Sequence, residues 1–134
     1  MSQQNVDVVR DQYEATNEQD FARAMTYYAD DVVLVVHSDA FLNTGTFEGR
    51  EAVGEWFGDW FRTFQSVHFE FDLRDLGDVV YLRTTYSGRG RGSGIEISDE
   101  RGYLYTVREG KIVRLELFNS PAQALEAAGV QTKD

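Results

Sequence analysis

His37 and Asp39 stand two residues apart at the end of the apolar run Val32–His37, and that spacing is the first place where the chain offers chemistry. In an extended backbone alternate side chains share a face, so Val33, Val35, His37 and Asp39 point the same way. A carboxylate beside an imidazole fixes its tautomer, and Asp39 is expected to hold His37 as a general base. A hydrogen-bonded histidine at a strand end satisfies the same spacing. Glu116 and Arg114 alternate with Val113, Leu115 and Leu117, so the two charges are expected on one face with Ile112 and Phe118. On a concave face Glu116 is a partly desolvated carboxylate and a second acid or base. On a convex face the pair is a surface or interface salt bridge of small energy. The concave placement is the one expected.

The other histidine, His68, falls on the polar side of an alternating segment. Two histidines so far apart make a poor metal site, and the absence of cysteine removes thiolate ligands, disulfides and a cysteine nucleophile. Neither metal nor cofactor is expected. The glycine-rich stretch GRGRGSG lacks the strand-to-helix setting and lysine of a phosphate loop and reads as a strand connection.

The elements that must position these residues follow from periodicity. Val6, Val9 and Tyr13 form a helical stripe over residues 4–17. Asp20 is an N-cap for a second helix over roughly 21–29, with Phe21, Ala24, Met25 and Tyr28 as its buried face. The segment Val32–His37 is a strand, and SDAFLNTGTFEG is a loop or short hairpin ending at Gly49. A third helix over 49–64 aligns Val53, Trp56, Trp60 and Phe64, with Phe57 and Phe61 widening the stripe; Gly54 and Gly58 within it require something packed close to the backbone. The segment 67–74 alternates with Phe69, Phe71 and Leu73 inward. Three long strands from Gly77 to Phe118 and a short helix after Pro121 complete the chain. Helices grouped against an antiparallel sheet predict an α+β fold of order α-α-β-α-β-β-β-β-α, a curved, cone-shaped sheet wrapped around the long N-terminal helix.

This order, together with ADD entering the first strand, GTFEGREAV entering the third helix, REGKIVRLELF at the last hairpin and PAQALEAAGV at the end, resembles the SnoaL-like proteins. These belong to the nuclear-transport-factor-two-like superfamily, with ketosteroid isomerase and limonene epoxide hydrolase. The resemblance covers nearly the whole chain as one domain. It implies a deep apolar pocket inside the cone, for which the chain supplies Tyr13, Trp56, Trp60, Tyr103, Tyr105, Arg114, Glu116 and Phe118. In that setting Tyr103 or Tyr13 stabilises developing negative charge. The chain also departs from its relatives. Val36 stands where the isomerase has its catalytic carboxylate, and Arg101 or Tyr103 where it has a second acid. Tyr103 also stands where SnoaL-like proteins often carry histidine. A hydrolase-like arginine would be Arg83, flanked by Asp39 and Asp99, and the parity of Arg83 does not place it inside.

Composition bounds the partners. Lys plus Arg number 13 and Asp plus Glu 23, so the formal charge is −10, which disfavours nucleic acid and anionic membranes. The N-terminus has no apolar leader core, and no apolar run reaches membrane-spanning length, so a cytoplasmic protein is expected. A homodimer is expected too: Leu104, Thr106 and Leu115 on a convex sheet face would leave apolar area bare, and sheet-to-sheet dimers are common in the family the chain resembles. Two functions fit. One is cofactor-independent acid–base turnover of a small apolar molecule, of isomerase, cyclase or hydrolase type. The other is a non-catalytic binding or dimerisation module of the same fold.

Overall fold

Helix α1 (Ser2–Asn17) buries Val6, Val9 and Tyr13, as the spacing predicts, and carries Gln12 and Thr16 on the same buried side. The computed structural model describes residues 2–37, 44–77 and 79–129. The last residue of α1 anchors the helix to the sheet. Asn17 Nδ2 donates to the Phe69 carbonyl at 3.0 Å, and its Oδ1 accepts from the Phe69 N–H at 3.1 Å. The amide thereby satisfies a stretch of sheet edge that would otherwise need water.

Asp20 caps α2 (Phe21–Met25) by accepting from the Arg23 N–H. The helix is shorter than the periodicity predicts. The Thr26 hydroxyl turns back to the Arg23 carbonyl at 2.6 Å, and Tyr28 already opens strand β1 (Tyr28–Val36). Phe21, expected in the core, is 41% exposed. Strand β2 (Gly45–Glu48) pairs antiparallel with β1 and adds a strand to the predicted order.

Helix α3 (Arg50–Arg62) buries Val53, Trp56 and Trp60. It leads into β3 (Phe64–Asp75), β4 (Val80–Gly90), β5 (Glu96–Arg108) and β6 (Lys111–Phe118). The sheet order is β2-β1-β6-β5-β4-β3, antiparallel except where β1 lies parallel to β6. The β5–β6 turn places Glu109 and Gly110 at φ 51° and 77°, a pair of left-handed residues whose twist matches a hairpin.

Register decides which side chains meet. Tyr103 lies opposite Leu117 and Tyr105 opposite Leu115, so these four share the concave face with the helices α1 and α3. Val107 then pairs with Ile112, while the adjacent Thr106 pairs with Arg114. Val113 is therefore one extra residue in β6, a bulge that flips the alternation. Ile112 turns into the core, whereas Arg114, Glu116 and Phe118 turn to the convex face.

Helix α4 (Pro121–Ala127), capped by Ser120, covers part of that convex face. Its approach requires glycine at 102: a Cβ there would lie 2.7 Å from Pro121 Cα and 2.9 Å from the Ala124 Cβ. Leu104, Tyr81 and Phe118 are buried with Ala124 beneath α4. The apolar area invoked for a dimer is thus occupied within the chain: Leu104 is covered by α4, and Leu115 faces the core. No helix among the described residues is long and apolar enough to cross a membrane.

Candidate ligand-binding site

Between the helices and the concave face lies a cavity of about 380 Å³, within the range of small-molecule sites. Its floor is aromatic and deeply buried, with Tyr13 from α1, Tyr28 from the start of β1, and Tyr103 and Tyr105 from β5. Trp60, Phe57 and Phe61 of α3 and Phe69 of β3 form walls. These rings hold one another in place. Tyr13 meets Phe69 and Phe71 edge-on at 5.3 and 4.9 Å, and Trp60 meets Tyr86 edge-on at 5.3 Å. Gly54 and Gly58 leave the α3 backbone itself as wall, but neither site is packed tightly enough to demand glycine. A Cβ at Gly54 would meet Met25 Cε at 3.5 Å and one at Gly58 the Arg62 Nη1 at 3.4 Å, both ordinary contacts with flexible side-chain ends.

The polar groups of the buried floor are neutral. Burial pushes the phenols of Tyr13, Tyr28, Tyr103 and Tyr105 well above their ordinary range, and repulsion from charge on a neighbouring tyrosine adds to it. Near neutral pH all four are hydrogen-bonding phenols, unable to serve as bases. Tyr13 Oη lies 2.8 Å from Thr84 Oγ1. Gln12 Nε2 donates to Thr16 Oγ1 at 3.0 Å. Two buried atoms on lining residues have no partner among the described residues: the Tyr28 hydroxyl and Gln12 Oε1. Each costs on the order of 1–3 kcal/mol if left unsatisfied. A ligand N–H or O–H that reached Gln12 Oε1, or a polar group that reached the Tyr28 hydroxyl, would recover part of that energy.

The residues expected to move protons lie elsewhere. His37 and Glu116 do meet, with Nε2 to Oε1 at 2.9 Å, and Arg114 Nε donates to Glu116 Oε2 at 3.2 Å. His37 stacks on Phe118 with ring centroids 4.5 Å apart. This cluster is on the convex face, the whole sheet away from the cavity, because the bulge at Val113 and the pairing of Val35 with Glu116 set that parity. Its expected partner Asp39 lies outside the described residues.

Of the residues expected in a pocket, Tyr13, Trp60, Tyr103 and Tyr105 line the cavity, while Arg114, Glu116 and Phe118 do not. Trp56 is buried behind it against Phe47 and Phe57. Arg83 is outside, paired with Asp72 and Glu100. Among the described lining residues there is neither a histidine nor a carboxylate. The site also uses Gln12 and Tyr28, which the sequence analysis passed over as functional residues. Gln12 carried a signal: with Val9, Tyr13 and Thr16 it completes a stripe at i, i+3, i+4 and i+7, a polar amide where packing alone would prefer an apolar side chain.

A family model described as a SnoaL-like domain matches residues 9–115. Among solved structures, an NTF2-like protein from Burkholderia thailandensis superposes with a TM-score of 0.77 at 27% identity, covering 90% of this chain and 96% of that one. TerC, co-crystallised with polyporic acid, gives 0.76 at 17% identity, covering 94% and 98%. A putative SnoaL-like polyketide cyclase from Mesorhizobium loti gives 0.65 at 23% identity, covering 84% and 96%. The curated proteins contain no match.

Proposed function

The chain belongs to the SnoaL-like family, and from that premise we propose that it binds a flat, largely apolar small molecule in the cavity between α1, α3 and the concave sheet face. The observation that carries this reading is the pair of buried, unpartnered polar atoms, Tyr28 Oη and Gln12 Oε1, in an otherwise aromatic enclosure. A ligand hydroxyl or enol can satisfy either atom, donating to Gln12 Oε1 or accepting from Tyr28. Tyr103 and Tyr13 add neutral donors, so any chemistry supported here is stabilisation of a developing oxyanion by phenols. Acid–base turnover by His37 and Glu116 is disfavoured by their place on the opposite face. That TerC, of the same fold, was crystallised with polyporic acid supports a ring-bearing ligand.

The test is a fluorescence titration with tricyclic ketones, hydroxyquinones and terpenes. Trp60 lines the cavity and Trp56 does not, so a Trp56→Phe variant reports from the wall alone. Saturable quenching with Kd below ~100 μM, about 5.5 kcal/mol of binding, is the expected result. Absence of saturable quenching across the panel, from a folded protein, would overturn the reading.

A further inference from the structure

The rim of the cavity differs from its floor. Gln19, Phe21, Arg62, Gln65, Ser66 and Arg91 are exposed lining residues, whereas the tyrosines beneath them are buried. The charged residues among the described lining are Arg62 and Arg91, both cations, in a chain whose formal charge is −10. Arg62 is already engaged by the Asp59 carboxylate one turn back. Arg91 is held differently. Its Nε donates to the Arg62 carbonyl and its Nη2 to the Phe64 carbonyl, each at 3.1 Å, and its backbone N–H donates to the Thr63 carbonyl at 2.9 Å. Among the described residues no carboxylate forms an ion pair with Arg91. Neutral carbonyls orient the guanidinium without cancelling its charge, which leaves a preorganised cation beside the opening.

We propose that the site selects an amphipathic anion: an apolar ring body in the cavity with a carboxylate at the rim against Arg91. This rests on the reading of the cavity as a binding site. It narrows the ligand class from apolar molecules to aromatic or polycyclic carboxylic acids. The net charge of the chain sharpens the expectation. An anion bound without a specific cation partner is repelled by the protein as a whole, and added salt would screen that repulsion and tighten binding. An anion held by Arg91 weakens with salt instead. The sign of the salt dependence therefore separates a local cation from the global field.

The experiment is calorimetric titration of the full chain with anthracene carboxylate and its neutral isostere, anthracene carboxamide. It is run at low salt and at about 1 M salt, where the screening length is near 3 Å. The carboxylate is expected to bind roughly tenfold more tightly at low salt and to lose that preference at high salt. Arg91→Gln should abolish the preference, bringing the carboxylate and carboxamide affinities together, and Arg91→Lys should retain part of it. Equal affinities for the two compounds, or carboxylate binding that tightens with salt, would overturn anion selection and leave the cavity reading intact. If neither compound saturates the native protein while a member of the neutral panel does, anion selection falls alone; if nothing in either set binds, both readings fall. Should Arg91→Gln not fold, the native carboxylate-to-carboxamide ratio and its salt dependence decide the matter.

Discussion

Replacing Tyr28 with phenylalanine should make the protein more stable and its ligand binding weaker. The hydroxyl of Tyr28 is buried, has no partner among the described residues and belongs to a residue that is 1% exposed. Its desolvation is uncompensated in the free protein, at a cost of about 1–3 kcal/mol. Phenylalanine keeps the ring, which packs 6.5 Å from Phe57, and leaves no void larger than one oxygen. The expected gain is therefore about 1–2 kcal/mol, or roughly 4–7 °C in Tm for a domain of this size. Binding of an oxygen-bearing ligand should move the other way. Losing one neutral hydrogen bond is worth about 0.5–1.5 kcal/mol, so Kd should rise roughly 3- to 10-fold. Urea denaturation of native and variant proteins, paired with the tryptophan titration, measures both signs. Destabilisation by 1 kcal/mol or more would mean that the hydroxyl is already satisfied in the free protein, and unchanged affinity would remove Tyr28 from recognition. Either result refutes the reasoning, since the argument requires the energy stored in the free site to be released on binding.

Other outcomes follow from the same geometry. The folded-state phenols of Tyr13, Tyr28, Tyr103 and Tyr105 titrate above their unfolded value of about 10, so the unfolded chain binds fewer protons in strong alkali. Stability is full below pH about 10 and then falls by roughly 5 kcal/mol per pH unit, at ~1.4 for each of four tyrosines; phenolate absorbance should rise together with unfolding, and full titration of all tyrosines in a folded protein would contradict this. Asn17→Leu removes both bonds to the Phe69 backbone and should cost about 1–3 kcal/mol in chemical denaturation. Gly102→Ala places a methyl 2.7 Å from Pro121 Cα, so α4 should detach, seen as faster amide exchange over Pro121–Ala127 and exposure of Leu104 to a hydrophobic dye. His37→Ala, which the sequence pattern alone would mark as catalytic, should leave cavity binding within twofold and cost no more than about 1 kcal/mol of stability as a surface pair.

The fold was readable because it depends on periods longer than any single residue. Val6, Val9 and Tyr13 repeat the helical period, Phe69, Phe71 and Leu73 the strand period, and a misplaced boundary such as the end of α2 leaves the architecture intact. The cavity was half readable for the same reason: Tyr13, Trp60, Tyr103 and Tyr105 lie on stripes that had to face inward. Proton chemistry depends on something finer, the parity of one strand. Counting by twos from Phe118 puts Ile112 with Glu116, yet the bulge at Val113 sends Ile112 to the core and Glu116 to the opposite face. Nothing in the composition of KIVRLELF marks that extra residue, because Ile, Val and Leu suit either face of a covered strand. Burial settles it only once both faces are known. The convex face is partly apolar too, since α4 sits on Phe118 and Leu104, so hydrophobicity could not distinguish inside from outside. Arg91 was illegible for a different reason. Its place at the rim comes from three bonds to the backbone of Arg62, Thr63 and Phe64, almost thirty residues away, and backbone carbonyls leave no trace in a sequence. The acid–base pair that the sequence suggests and the cavity that the fold builds are thus separate features, and among the described residues it is on the cavity's lining that Gln12 Oε1 and the Tyr28 hydroxyl lack partners.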